Sequence, residues 1–167
     1  MALLDILYFP DPRLRLNAKP VEKVDSNIQR IVADMFETMY AAPGIGLAAP
    51  QVNIQKRIVV LDTSEDRSQP LCLINPVIVR QAGHFCVAEG CLSLPDIFEE
   101  VDRPQQITVT ALNLHGQAFT MEAADLLAIC IQHETDHLEG KLFVDYLSAL
   151  KQQRIRKKFV KAKKLAL

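Results

Sequence analysis

The segment Glu122 to Leu138 most strongly constrains the fold, because it is predicted to be one long helix and contains the sequence HETDH. It is rich in good helix formers, and Gly140 follows it, as is typical of a helix C-terminus. His133 and His137 are four residues apart, so on a helix they share one face, about 6 Å apart along the axis. Such a pair can hold one metal ion, and Glu134 between them can accept a proton from a metal-bound water. The pattern indicates metal-assisted hydrolysis without naming the substrate.

A catalytic metal site usually needs a third protein ligand, and this helix does not supply one. Cys130 lies on the same helical stripe, but seven residues before the second histidine, about 10 Å along the axis. Its short side chain cannot share an ion with both histidines, so we expect it to line a pocket beside the metal. We expect His84 and His115 in exposed loops. Cys91 is a further candidate, although a lone cysteine is commonly a buried apolar residue.

The rest of the chain predicts one α+β domain. Its 167 residues are 49% hydrophobic, which is enough for a single core. Strands are predicted in the middle of the chain and helices towards its ends, which favours α+β over alternating β-α units. The predicted elements are a helix from Asp25 or Ser26 to Met39, strands at 57–62, 71–75, 76–81, 106–113 and 118–121, the HETDH helix, and a helix from about Ser148.

Charge divides the chain into an acidic body and a basic arm. All 20 acidic residues and 11 of the 19 basic ones precede Lys151, so residues 1–150 carry a net charge of −9. Residues 151–167 carry eight basic residues and no acidic one. This arm is either a solvated terminal helix with one docking face or an electrostatic arm for RNA.

Several patterns point to a cytoplasmic protein. There is no run of 18 apolar residues, and Met1 to Pro12 lacks the basic start and apolar core of a secretory signal. The four cysteines form no C-x-x-C pair and are interpreted as reduced thiols. We expect no membrane or DNA partner.

Three segments resemble, in order and spacing, the signature motifs of bacterial peptide deformylases: GIGLAAPQ (Gly44 to Gln51), EGCLS (Glu89 to Ser93) and QHETDHLEG (Gln132 to Gly140). The resemblance covers nearly the whole chain. It implies a single catalytic domain, residues 1–167, in which antiparallel sheets pack around the HETDH helix, with an N-terminal helix and a basic C-terminal helix. It also implies removal of the formyl group from the N-terminal formyl-methionine of nascent polypeptides, with release of formate. Ribosome contact through the basic helix would follow from that role.

The resemblance also implies the catalytic roles. Three residues would bind one divalent ion: Cys91, His133 and His137. The family natively favours Fe²⁺ and also accepts Zn²⁺, Ni²⁺ or Co²⁺. A water activated by the metal would attack the formyl carbon, with Glu134 as general base and then general acid. The side-chain amide of Gln51 and the backbone N–H of Leu92 would stabilise the oxyanion.

The residues expected to bind substrate offer either an apolar side chain or a close backbone approach, with Glu89 at the pocket mouth: Gly44, Ile45, Gly46, Val87, Glu89, Gly90, Leu126, Ile129 and Cys130. The GIG sequence is also typical of a tight turn. Many family members have an arginine seven residues after the metal cysteine, where this chain has Phe98. We therefore expect a weaker preference for acidic groups downstream of methionine. Arg103 and Asp136 are expected to pair and brace the helix.

Two functions other than deformylation are also compatible with the HETDH motif. A zinc endopeptidase also uses this motif, but it usually takes a third His or Glu from downstream, and here Glu139 is too close to His137. A binding module with a closed structural metal site would need four ligands, whereas only three good ones are evident. Such a module would also leave Glu134 without a role.

Overall fold

Residues 2–166 are described in a computed structural model, with side chains as far as residue 162. The described residues form three α-helices: α1 (Ser26–Ala41), α2 (Asp125–His137) and α3 (Ala149–Ala166). They also form seven strands: β1 (Gly46–Ala48), β2 (Ile58–Leu61), β3 (Leu71–Ala82), β4 (Phe85–Cys91), β5 (Leu94–Arg103), β6 (Gln106–Leu112) and β7 (Ala118–Ala124). Short 3₁₀ turns lie at Pro12–Arg15, Ala49–Val52 and Phe143–Tyr146.

The strands form two antiparallel sheets. One has five strands in the order β1-β2-β3-β6-β7, and the other is the β4-β5 pair. Burial alternates along β6, whereas all four residues of β2 are buried. The alternating pattern is typical of a sheet with one face on the core, and the continuous apolar run is typical of a strand buried on both faces. The predicted α+β class is confirmed.

Helix α1 packs on the sheet through one apolar face. The Asp25 carboxylate accepts a hydrogen bond from the backbone N–H of Ile28 at 3.0 Å, which caps the first turn. Ile28, Val32 and Met35 recur at helical spacing, and all three are buried in a cluster that also contains β2 residues. The predicted helix and its start are confirmed, and the helix extends two residues beyond Met39, to Ala41.

Helix α2 lies inside the domain and packs against strands β1, β2, β6 and β7. It begins at Asp125, so the prediction that it begins at Glu122 is wrong. Glu122 continues β7 and pairs with Thr108 of β6. The strand ladder satisfies the backbone groups of this segment, and Asp125, at φ 56°, is where the chain leaves the strand.

The strands differ from the prediction in two respects. The chain does not break at Asn75-Pro76, because β3 continues through a register shift between Ile74 and Val77. Asn75 takes φ 53°, and its side chain bonds both backbone groups of Val21, at 2.8 and 2.9 Å. Strands β4 and β5 were not predicted, because their charged, half-exposed residues give no clear apolar alternation.

Helix α3 has a docking face and a charged face. Ile155 is buried, and Phe159 meets Phe9 edge-on with the ring centroids 5.8 Å apart. The described basic side chains of α3 are all exposed: Lys151, Arg154, Arg156, Lys157, Lys158 and Lys161. The side chains of Lys163 and Lys164, also part of the predicted arm, lie outside the described residues. No helix within residues 2–166 is long and apolar enough to cross a membrane.

Candidate active site

Strand β4 and helix α2 bring together the three residues expected to bind a metal. Cys91 ends β4, while His133 and His137 stand one turn apart on α2. One potential ligand atom from each of the three lies within 4.8 Å of the other two. The Cys91 Sγ is 3.4 Å from the His137 Nε2. A thiolate and two imidazoles so close together are a suitable donor set for one transition-metal ion.

Glu89 orients the first histidine. The Nδ1 of His133 lies 2.9 Å from the Glu89 Oε1, so Nδ1 is the donor and Nε2 is the ring nitrogen left to bind a metal. Arg103 donates to the same carboxylate at 2.5 and 3.0 Å. The prediction that Glu89 lies at the pocket mouth is wrong, although the residue borders the cavity. Its carboxylate is buried, and burial of a charge requires such partners.

The predicted pair of Arg103 and Asp136 is confirmed, with Nη1 and Oδ2 2.9 Å apart. The hydroxyl of Tyr146 donates to the same Asp136 oxygen at 2.8 Å. The Arg103 guanidinium also lies over the Tyr146 ring, 4.9 Å from its centroid. A continuous network therefore runs from the 3₁₀ turn at Phe143–Tyr146 to the candidate ligand His133. Nothing in the sequence alone points to Tyr146 or to this use of Glu89.

The pKa values of the two histidines are shifted in opposite directions. Burial lowers the pKa of His137 well below its ordinary value, and the nearby charge of His133 acts in the same direction. Burial also opposes charge on His133, but the neighbouring Cys91 sulfur and the hydrogen-bonded Glu89 outweigh burial and raise the pKa of His133. The negatively polarised surroundings that raise the pKa of His133 would also favour a metal cation beside its ring.

Glu134 is a buried carboxylate with one free oxygen. Its Oε1 lies 3.7 Å from the His133 Nε2, and its Oε2 has no hydrogen-bond partner among the described residues. Burial is the main reason why its pKa is raised to about 7. A Cβ placed on Gly46 would lie 3.1 Å from the Glu134 Cγ and Cδ, so glycine leaves room for this side chain beside β1. The carboxyl can therefore take up and release a proton near neutral pH.

Gln51 directs its amide nitrogen towards the cysteine. The residue is 1% exposed, and its Oε1 accepts the backbone N–H of Ala48 at 2.9 Å. Because the oxygen is occupied there, the NH₂ group faces the Ser93 Oγ at 3.1 Å and the Cys91 Sγ at 3.5 Å. Gln51 is thus a fixed hydrogen-bond donor beside the candidate metal ligands.

One cavity of about 830 Å³ extends from His133 and Glu134 to the surface. Cys91 and Leu92 border it. So do all nine residues expected to bind substrate: Gly44, Ile45, Gly46, Val87, Glu89, Gly90, Leu126, Ile129 and Cys130. Ile129 and Cys130 are buried in the cavity wall, whereas Ile45 and Leu126 are half exposed. The structure adds bordering residues that the sequence did not single out for this role, among them Ile6, Tyr8, Pro95 and Asp96.

Gly44 contacts the active-site segment directly. A Cβ at Gly44 would lie 2.8 Å from the Leu92 Cδ1, so glycine lets the side chain after Cys91 pack against this turn.

His84 and His115 are exposed, as predicted, and take no part in the site. The fold and the site together define an α+β domain of the hydrolase class with an H-E-x-x-H helix.

Comparison with known proteins specifies that class. Residues 3–153 match the family described as "Polypeptide deformylase". The chain is 58% identical to the peptide deformylase of Nitrosococcus oceani, over 99% of each chain, and 60% identical to peptide deformylase 1 of Pseudomonas syringae pv. tomato, again over 99% of each. A crystal structure of a peptide deformylase from Legionella pneumophila matches with a TM-score of 0.92 at 46% identity, covering 98% of this chain and 97% of that one. The chain belongs to the peptide deformylase family, hydrolases that remove N-terminal formyl groups from formylmethionyl peptides.

Proposed function

We propose that this chain deformylates the N-terminal formyl-methionine of nascent polypeptides in the cytoplasm, using a divalent ion held by Cys91, His133 and His137. The observation that carries the proposal is the convergence of their potential ligand atoms within 4.8 Å. Beside that group the apolar cavity ends at Glu134. A buried base, a metal donor set and an apolar cavity are the parts that hydrolysis of a methionyl amide requires.

The donor set suits the proposed ion. One thiolate and two imidazoles accommodate Fe²⁺, the proposed native ion, and also Zn²⁺, Ni²⁺ or Co²⁺. Three protein ligands leave a coordination position open, as a catalytic site requires. When bound, the ion supplies Lewis acidity, which lowers the pKa of a water and polarises the formyl carbonyl.

Glu134 moves the proton. Its Oε2 would accept a proton from the attacking water, and the absence of any other partner for this oxygen among the described residues supports that role. The raised pKa allows the same carboxyl to pass that proton to the departing methionine nitrogen. Negative charge on the formyl oxygen would be met by the Nε2 of Gln51 and the backbone N–H of Leu92. Losing one such donor typically costs about 3 kcal/mol of transition-state stabilisation.

Strand β1 is proposed to position the peptide. It is an edge strand, hydrogen-bonded only to β2 within its sheet. Its outward backbone groups, apart from the Ala48 N–H that donates to Gln51, are therefore available to an extended chain. The apolar wall formed by Val87, Ile129 and Cys130 would receive the methionine side chain.

A substrate comparison tests the proposed function. Under anaerobic conditions we expect formate release from formyl-Met-Ala-Ser and no turnover of acetyl-Met-Ala-Ser or casein. Cleavage of casein would instead support an endopeptidase. Tightly bound metal without hydrolysis of any of the three would support a structural metal site.

The exposed basic face of α3 is proposed to contact ribosomal RNA. Arg156, Lys157 and Lys161 border one shallow groove on this face. Replacing these three by alanine should weaken co-sedimentation with ribosomes and lower the slope of log affinity against log salt by about one for each lost phosphate contact. Turnover of formyl-Met-Ala-Ser should not change, because the groove is separate from the active-site cavity. Unchanged ribosome binding at low salt would reject this contact.

A further inference from the structure

Phe98 is an exposed aromatic residue at the active-site cavity. It belongs to β5, borders the cavity and is 69% exposed. A Cβ on Gly90 would lie 2.6 Å from the Phe98 Cε1 and 2.9 Å from its Cδ1. The ring therefore rests directly on the β4 backbone, one residue before Cys91, and only glycine permits this contact. The ring is supported by β4 while most of its surface stays open to solvent.

The surroundings of Phe98 are apolar or acidic. Tyr8, Ile45 and Leu126 border the same cavity, and each is about half exposed. Asp96 also borders it. Of the described residues that line this cavity, none is a lysine or arginine. An acidic side chain placed at Phe98 would lose water without gaining a lysine or arginine partner, and it would meet the Asp96 charge.

We propose that Phe98 is a specificity-determining residue that receives an apolar, preferably aromatic, side chain from one of the two residues after methionine. This inference rests on the proposed function and names the class of peptide that the site prefers. Two aromatic rings in offset or edge-to-face contact gain more than buried area alone provides. Because the ring is already supported by Gly90, little side-chain freedom is lost when a substrate covers it.

Two peptide series measure this preference: formyl-Met-X-Ser and formyl-Met-Ala-X, with X as Phe, Ala or Glu. We expect kcat/KM for X as Phe to exceed that for X as Ala by about three- to tenfold at one of the two positions. The peptide with X as Glu should be the poorest. Phe98→Ala should bring the Phe-to-Ala ratio close to one, and Phe98→Leu should keep part of it. Phe98→Arg should raise turnover of the Glu peptide relative to the Ala peptide.

Leu150→Ala is the matched control, because it truncates another exposed apolar side chain, on α3 and away from this cavity. It should leave every ratio unchanged. Ratios within one variant do not depend on the fraction of active enzyme, so partial unfolding cannot imitate the result. A Phe-to-Ala ratio near one at both positions in the unmodified chain, or a high ratio that survives Phe98→Ala, would overturn the inference. If no formyl peptide is turned over, formyl-Met-Ala-Ser included, the proposed function itself fails.

Discussion

Replacing Glu134 by glutamine should lower kcat for formyl-Met-Ala-Ser by roughly 10²–10⁴-fold, the usual contribution of a general acid–base. Glutamine keeps the shape of the side chain but cannot accept the proton of the attacking water. Because Glu134 is not one of the three proposed ligands, the metal content should stay the same. KM should change little, since the carboxylate acts on the reacting atoms rather than on the methionine side chain.

Glu139→Gln is the matched control for this experiment. Glu139 lies five residues further along the same motif but is exposed, so its substitution should leave kcat unaltered. Metal analysis of both variants separates a proton-transfer role from a ligand role. A kcat within about tenfold of the unmodified chain, or activity lost together with the metal, would count against Glu134 as the base.

The parts of the fold with strong local signals were predictable. Helix α1 carries a cap at Asp25 and an apolar stripe at helical spacing, and β2 is a short run of buried β-branched and leucine residues. Such signals are local and need no knowledge of distant residues. The start of α2 was misplaced because Glu122 is a good helix former, and its pairing with Thr108 on β6 is not visible locally.

The site was predictable in part for the same reason. The spacing of His133 and His137 determines their common face, and the chemistry of H-E-x-x-H follows from it. Cys91 could be assigned only through resemblance, because the contact joins residues 46 positions apart in the sequence. The buried contact of Glu89 with Arg103 and His133 was missed, since charged residues in a strand are usually solvated. Only the three-dimensional packing of β4 against α2 reveals it.

Replacing Cys91 by alanine should abolish tight metal binding. The substitution leaves two imidazoles, whereas the unmodified chain should bind about one ion per molecule through three ligands. In protein loaded with Co²⁺, the sulfur-to-metal absorption in the near ultraviolet should disappear. Deformylase activity should be lost in parallel. Cys86→Ala is the matched control, because Cys86 lies on the same strand but is exposed, and its substitution should alter neither metal content nor absorption.

Glu89→Gln separates a ligand from a residue that positions one. Glutamine can still accept the Nδ1–H of His133, but it loses the charge that pairs with Arg103. We therefore expect the metal affinity to fall by about 10–100-fold while the sulfur-to-metal absorption persists at saturating Co²⁺. We expect a smaller effect at Glu89 than at Cys91, because Cys91 is a proposed ligand of the ion, whereas Glu89 would act on the ion only through His133. Stoichiometric metal in Cys91→Ala, or an affinity unchanged in Glu89→Gln, would contradict that arrangement.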